Sequence, residues 1–164
     1  MKTKRRIILP ILIFLALAFI WLNSAMDSVM SDEESSRILD LLNRITEAIF
    51  SRSLTLHVVR KLAHFVEFAV LGGLFYLSVA LFDTSPSLRI YISETLSLIV
   101  ALIDETIQLS SDGRSSQVTD VWLDSLGSFS AILCLALLFA LLHLDKGGDN
   151  TAKITDKDDG NLPE

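Results

Sequence analysis

Four apolar runs, Ile7 to Leu22, Leu62 to Phe82, Leu88 to Leu109 and Val118 to Leu142, constrain this chain more than any other feature. Each is about the length, roughly 17 to 25 residues, that takes an α-helix across a hydrocarbon core. A hydrophobic content of 51% and a mean hydropathy of +0.49 are too apolar for an ordinary soluble domain. The expected architecture is all-α: an integral membrane four-helix bundle in one domain over residues 1–144, with helices at about 7–25, 62–82, 88–109 and 118–142.

The first run follows Lys2, Lys4, Arg5 and Arg6, the layout also found in secretory signal peptides. Ile7 to Leu22 exceeds the usual signal core of about 7 to 15 residues, and Leu22-Asn23-Ser24-Ala25 makes a mediocre cleavage site, so the segment is expected to stay as a helix. Pro10 falls near its start, where a missing backbone donor does least harm. The basic cluster places the N-terminus in the cytoplasm by the positive-inside rule, and four passes return the C-terminus there. The expected location is the cell membrane, multi-pass. Cys134 lies among Leu133, Leu135 and Ala136 and is expected to be a small packing residue. Residues 145–164, rich in Asp and containing scattered Gly, read as a disordered acidic tail.

Between the first two runs, Ile38, Leu41, Leu42, Ile45, Ala48 and Ile49 recur at helical spacing, with Asp40, Arg44 and Glu47 elsewhere on the wheel. This predicts an amphipathic outer helix at about 35–51, roofing the bundle or lying on the leaflet. The turn Asp83-Thr84-Ser85-Pro86-Ser87 is short and forces an antiparallel pair, and a second compact turn runs from Ser110 to Gln117 around Gly113.

Ionisable groups occupy spans that should avoid them. Lys61, His64 and Glu67 stand in the first turns of the second helix; Asp104, Glu105 and Gln108 close the third; Arg114 is in the turn; Asp120 and Asp124 open the fourth. A charge at mid-bilayer costs about 2.5–3.5 kcal/mol on insertion scales, so such residues face a protein interior or a wet cavity. At about 1.5 Å of rise per residue all of them lie toward the outer side, and their spacing of three and four puts each set on one helix face. Convergence on one polar pocket is expected, with Lys61 and Arg114 opposite the carboxylates. Gly127 and Ala131, and Gly72 and Gly73, would allow close helix approach. Glu94 lies apart from this cluster, to snorkel or to pair with Arg89. Trp21 and Trp122 suit an interfacial belt, and His57 reads as a surface residue.

The stretch from Arg60-Lys61 through His64-Phe65 and Glu67-Phe68 to Leu71-Gly72, then Asp104-Glu105 with Gln108, then Gly113-Arg114, then Asp120 to Asp124 and Gly127, resembles the signature blocks of the VanZ-like family. These are small bacterial membrane proteins named for a glycopeptide-resistance accessory protein associated with lowered teicoplanin susceptibility. The resemblance covers roughly residues 5 to 142. It implies Lys61, His64, Glu67, Glu105, Gln108, Arg114, Asp120 and Gly127 as signature positions. Asp124 stands where the family commonly has Asn, which adds a negative charge to the pocket, and Ala131 stands where a second Gly is common.

Three functions compete. In the first, an outward-facing pocket of Lys61, His64, Glu67, Asp104, Glu105, Gln108, Arg114, Asp120 and Asp124 binds or shields an envelope component, such as a lipid-linked cell-wall precursor or an anionic head group. In the second, His64 and Glu105 are the acid-base residues of an enzyme acting on an envelope lipid, although no nucleophile motif accompanies them. In the third, the charges form an ion network that only fixes helix register. A metal held by His64, Glu67, Glu105 and Asp120 lacks the spacing of a zinc motif, so neither metal nor cofactor is expected. Membrane lipids are the expected partners. Nucleic acid is excluded by a pI of about 5.0 and a basic cluster confined to the N-terminus.

Overall fold

The computed structural model describes residues 2–25, 55–82, 84–110 and 117–158, together with Ser36, Leu39, Asp40 and Asn43. The described residues include four continuous helices: α1 (Lys2–Ala25), α2 (Leu56–Val79), α3 (Pro86–Gln108) and α4 (Val118–Asp158). Among the described residues there is no strand. All four are long and apolar enough to cross a membrane, over Lys4–Ala25, His57–Val79, Pro86–Gln108 and Val118–Leu142. The chain is an all-helical, multi-pass membrane protein. The amphipathic helix expected at 35–51 falls, apart from those isolated positions, outside the described residues, as does Arg114.

Local chemistry sets the helix starts. Thr55 is extended and its hydroxyl accepts the Val58 amide, so α2 begins at Leu56, six residues before its apolar run. Ser85 accepts the Leu88 amide and Pro86 takes the first helical position, where its missing N–H costs nothing, so α3 begins two residues early. At the other extreme α4 runs on to Asp158, which makes the segment expected to be a disordered tail helical from 145 to 158. Charge and glycine content argue for disorder there, but no proline interrupts the helical backbone before Pro163.

Polarity is distributed in reverse of a water-soluble bundle. Ser24, Ser93, Ser97, Asp104, Asp124 and Ser128 are each no more than 1% exposed, while Phe14, Tyr91 and Trp122 are at least 70% exposed. An apolar exterior of this extent is matched to acyl chains rather than water. Inside, Ile20, Phe68, Leu71, Phe75, Val100 and Ala101 form the apolar core. Trp21 packs against that core instead of standing free at the interface, whereas Trp122 faces outward. Cys134, expected as a packing residue, is also exposed on the outer face.

The most extensive contact joins α2 to α4. A Cβ at Gly127 would fall on the carbonyl of Phe65, and one at Gly72 would stand 2.7 Å from Cβ of Ser128. Only glycine permits those approaches. Gly73 is different, since a Cβ there would meet Leu135 at an ordinary 3.5 Å. These contacts bring the start of α4 against the start of α2, and the ends of α1 and α3 join them at the same end of the bundle.

Candidate functional site

At that end the polar side chains pair across helices. The Lys61 ammonium donates to Asp120 at 2.6 Å, joining α2 to α4. Asn23 of α1 donates its amide to Glu67 of α2 at 3.1 Å. Asp104 of α3 receives two donors, the Ser24 hydroxyl at 2.6 Å and the Gln108 amide at 2.9 Å. Glu105 accepts the backbone N–H of Gln117 at 3.0 Å, which ties the end of α3 to the residue that precedes α4. His64 approaches the same Asp104, Nδ1 to Oδ2, at 3.9 Å, beyond hydrogen-bonding distance.

Asp124 stands apart in this arrangement. It is 1% exposed, and its Oδ1 has no hydrogen-bond partner among the described residues. The carboxylates of Asp104, Glu105, Asp120 and Glu67 all act on it electrostatically, and all have the same sign. Charges that lie this close in a low-dielectric interior repel strongly. The cation nearest in sequence logic, Lys61, is engaged by Asp120.

A cavity of about 120 Å3 opens beside these groups. His57, Arg60, Lys61 and His64 line it from α2, Glu105 and Gln108 from α3, and Asp120, Leu123 and Asp124 from α4, with Gln117 at the edge. Among the described residues Leu123 is the one apolar member. Of the nine residues singled out in the sequence, Lys61, His64, Glu105, Gln108, Asp120 and Asp124 therefore line one hollow. Asp104 lies behind it, fully buried, and Glu67 pairs with α1. Arg114 lies outside the described residues.

Sequence reasoning missed several residues of this site. His57 is exposed, as expected, but it also lines the cavity, as does Arg60, which was given no role. Positions 57, 60, 61 and 64 are spaced three, one and three apart, a stripe down one helix face that becomes visible once α2 begins at Leu56. Asn23 and Ser24 were read only as part of a poor cleavage site. Two polar residues closing an otherwise apolar run were the available signal.

Glu94 also departs from expectation. Arg89 donates to the Thr84 hydroxyl at 3.2 Å instead of pairing with it. Glu94 accepts Ser125 at 2.6 Å and Ser128 at 2.9 Å, because the Gly72 contact seats Ser128 deep between α2 and α4. A half-buried carboxylate is thus satisfied by hydroxyls rather than by a cation.

Curated proteins and solved structures offer no match to this chain. The VanZ/LLP1 family model does match, over residues 9–140, an interval that takes in most of the first and last membrane helices, all of the other two and every described side chain of the cavity. On that match, this four-helix membrane protein belongs to the VanZ/LLP1 family.

Proposed function

We propose that the cavity faces the extracytoplasmic side and holds the polar head group of an envelope lipid or lipid-linked cell-wall precursor, and that occupancy shields this component. The observation behind this reading is the lining: among the ten described residues that form it one, Leu123, is apolar, at one end of a protein whose outer surface is apolar. A lipid can meet both requirements at once, leaving its chains against the exterior and its head group in the hollow. Size narrows the choice. About 120 Å3 is well below the roughly 300–1,000 Å3 of a drug-sized site, so a phosphate-sized group fits and a peptide does not.

Orientation follows from Lys2, Lys4, Arg5 and Arg6, which stand at the end of α1 remote from Ser24 and hold that end in the cytoplasm. A purely structural network is less well supported. A network retained only to fix register is expected to satisfy its buried members, and Asp124 Oδ1 has no hydrogen-bond partner among the described residues. Through family membership, shielding an envelope component in a bacterium connects to lowered teicoplanin susceptibility.

The test is mass spectrometry of lipids retained by the protein after extraction into nanodiscs. One head-group class is expected to be enriched over the bulk membrane, and Arg60→Gln and Lys61→Gln are expected to lose the enrichment while the protein remains inserted. Retained lipids with the composition of the bulk membrane would refute head-group binding. Conversion of the enriched lipid to a product by purified protein would move the assignment to an enzyme using His64 and Glu105.

A further inference from the structure

The floor of the cavity gathers one imidazole and two buried carboxylates from three helices. His64, Asp104 and Asp124 each offer one ligand atom, and these atoms all lie within 4.8 Å of one another. The three come from α2, α3 and α4, so no sequence motif announces them. Two of the three are fully buried carboxylates. Asp104 is fixed by Ser24 and Gln108, each donating to a different oxygen. Such outer hydrogen bonds are what orient a metal-bound carboxylate. Asp124 points into the cluster with Oδ1 unpartnered among the described residues. Nearby Lys61 is held by Asp120.

We propose that His64, Asp104 and Asp124 bind one divalent first-row transition cation, Zn2+ or Mn2+, at the floor of the cavity. Imidazole with two carboxylates is an N/O donor set that suits these ions, and a hard cation such as Mg2+ or Ca2+ would instead call for oxygen alone. Ligand atoms about 2.0–2.2 Å from an ion stand roughly 3–4.2 Å apart, so the present cluster needs only a small contraction. His64 Nδ1 and Asp104 Oδ2, at 3.9 Å, already meet that limit. His64 and Asp124 also line the cavity, so the remaining coordination positions face its opening. The site deepens the head-group reading: a bound cation supplies positive charge where carboxylates predominate and gives a phosphate oxygen an attachment point. The site itself needs no head group to form.

Stripped of metal with chelator and reconstituted in nanodiscs, the full chain is titrated with Zn2+, Mn2+ and Mg2+ by calorimetry. One equivalent of Zn2+ or Mn2+ is expected to bind, at least tenfold more tightly than Mg2+. Asp124→Asn and His64→Gln are each expected to weaken this at least tenfold. Glu94→Gln, outside the cluster, is expected to bind as wild type does. Co2+ is the spectroscopic check, its visible absorption changing in His64→Gln. Circular dichroism confirms that each variant is folded, and should Asp124→Asn fail that check, His64→Gln decides. Absence of saturable binding to the wild type, or unchanged affinity in the folded variants, would overturn the site. Because the titration reads cation binding and not lipid selection, that failure would leave the lipid-retention result standing, and loss of lipid enrichment alone would leave the metal site standing.

Discussion

Ser24, one residue from the end of α1, donates a 2.6 Å hydrogen bond to Asp104 of α3, a partner 80 positions later in the chain and fully buried. The first helix is therefore part of the site. It cannot be removed without stripping a donor from a carboxylate in the interior.

Ser24→Ala should lower stability by about 0.5–2 kcal/mol, the range of interhelical hydrogen bonds measured in membranes. Thermal unfolding in detergent reads this directly. A variant indistinguishable from wild type would mean that Asp104 is satisfied without Ser24.

Gly127→Ala should cost more. Its new Cβ meets the Phe65 carbonyl, backbone that cannot swing aside, and overpacking of this kind costs about 1–3 kcal/mol. Gly73→Ala is the internal control, since its Cβ meets a flexible leucine at 3.5 Å. The melting temperature should fall clearly in the first variant and little in the second.

Lys61 and Asp120 make a short ion pair, but their side chains keep 33% and 26% of their exposure. Partial access to water limits the coupling, so a double-mutant cycle with Lys61→Gln and Asp120→Asn should give about 1 kcal/mol or less. The same Lys61→Gln change should abolish lipid enrichment. A large stability loss with normal lipid retention would reverse the roles assigned to this pair.

Gln117 lies at the cavity and Ser87 at the opposite end of the bundle, at the start of α3. On a Cys134→Ala background, Gln117→Cys in intact cells should react with a membrane-impermeant maleimide, and Ser87→Cys should react only after permeabilisation. The reverse pattern would invert the topology and place the cavity in the cytoplasm.

The four helices were legible because length and apolar content alone mark a membrane span. Much of the cavity was legible as well, since a carboxylate such as Glu105 or Asp124 in an apolar run has few tolerable surroundings and its end of the helix follows from its place in the run. Boundaries were harder. The start of α2 depends on Thr55 capping, a local hydrogen bond that leaves little trace in hydropathy, and without it the stripe containing His57 and Arg60 was invisible. Partner choice was hardest. Whether Glu94 meets Arg89 or Ser128 depends on how far α4 sinks against α2, which Gly72 decides from a different helix. Asp104 and Asp124 were both picked out by the sequence, but that His64 completes a compact trio with them is a property of three helices at once.

The tight seams at Gly127 with Phe65 and at Gly72 with Ser128 have a mechanical corollary. They clamp α2 and α4 like the fixed jaw of a vice just below the hollow, so those two walls cannot spread without first losing backbone contact. Whatever enters or leaves must be admitted by tilting of α1 or α3. Disulfide tethers restraining α3 would then trap an occupant, whereas tethers between α2 and α4 would leave exchange as fast as before.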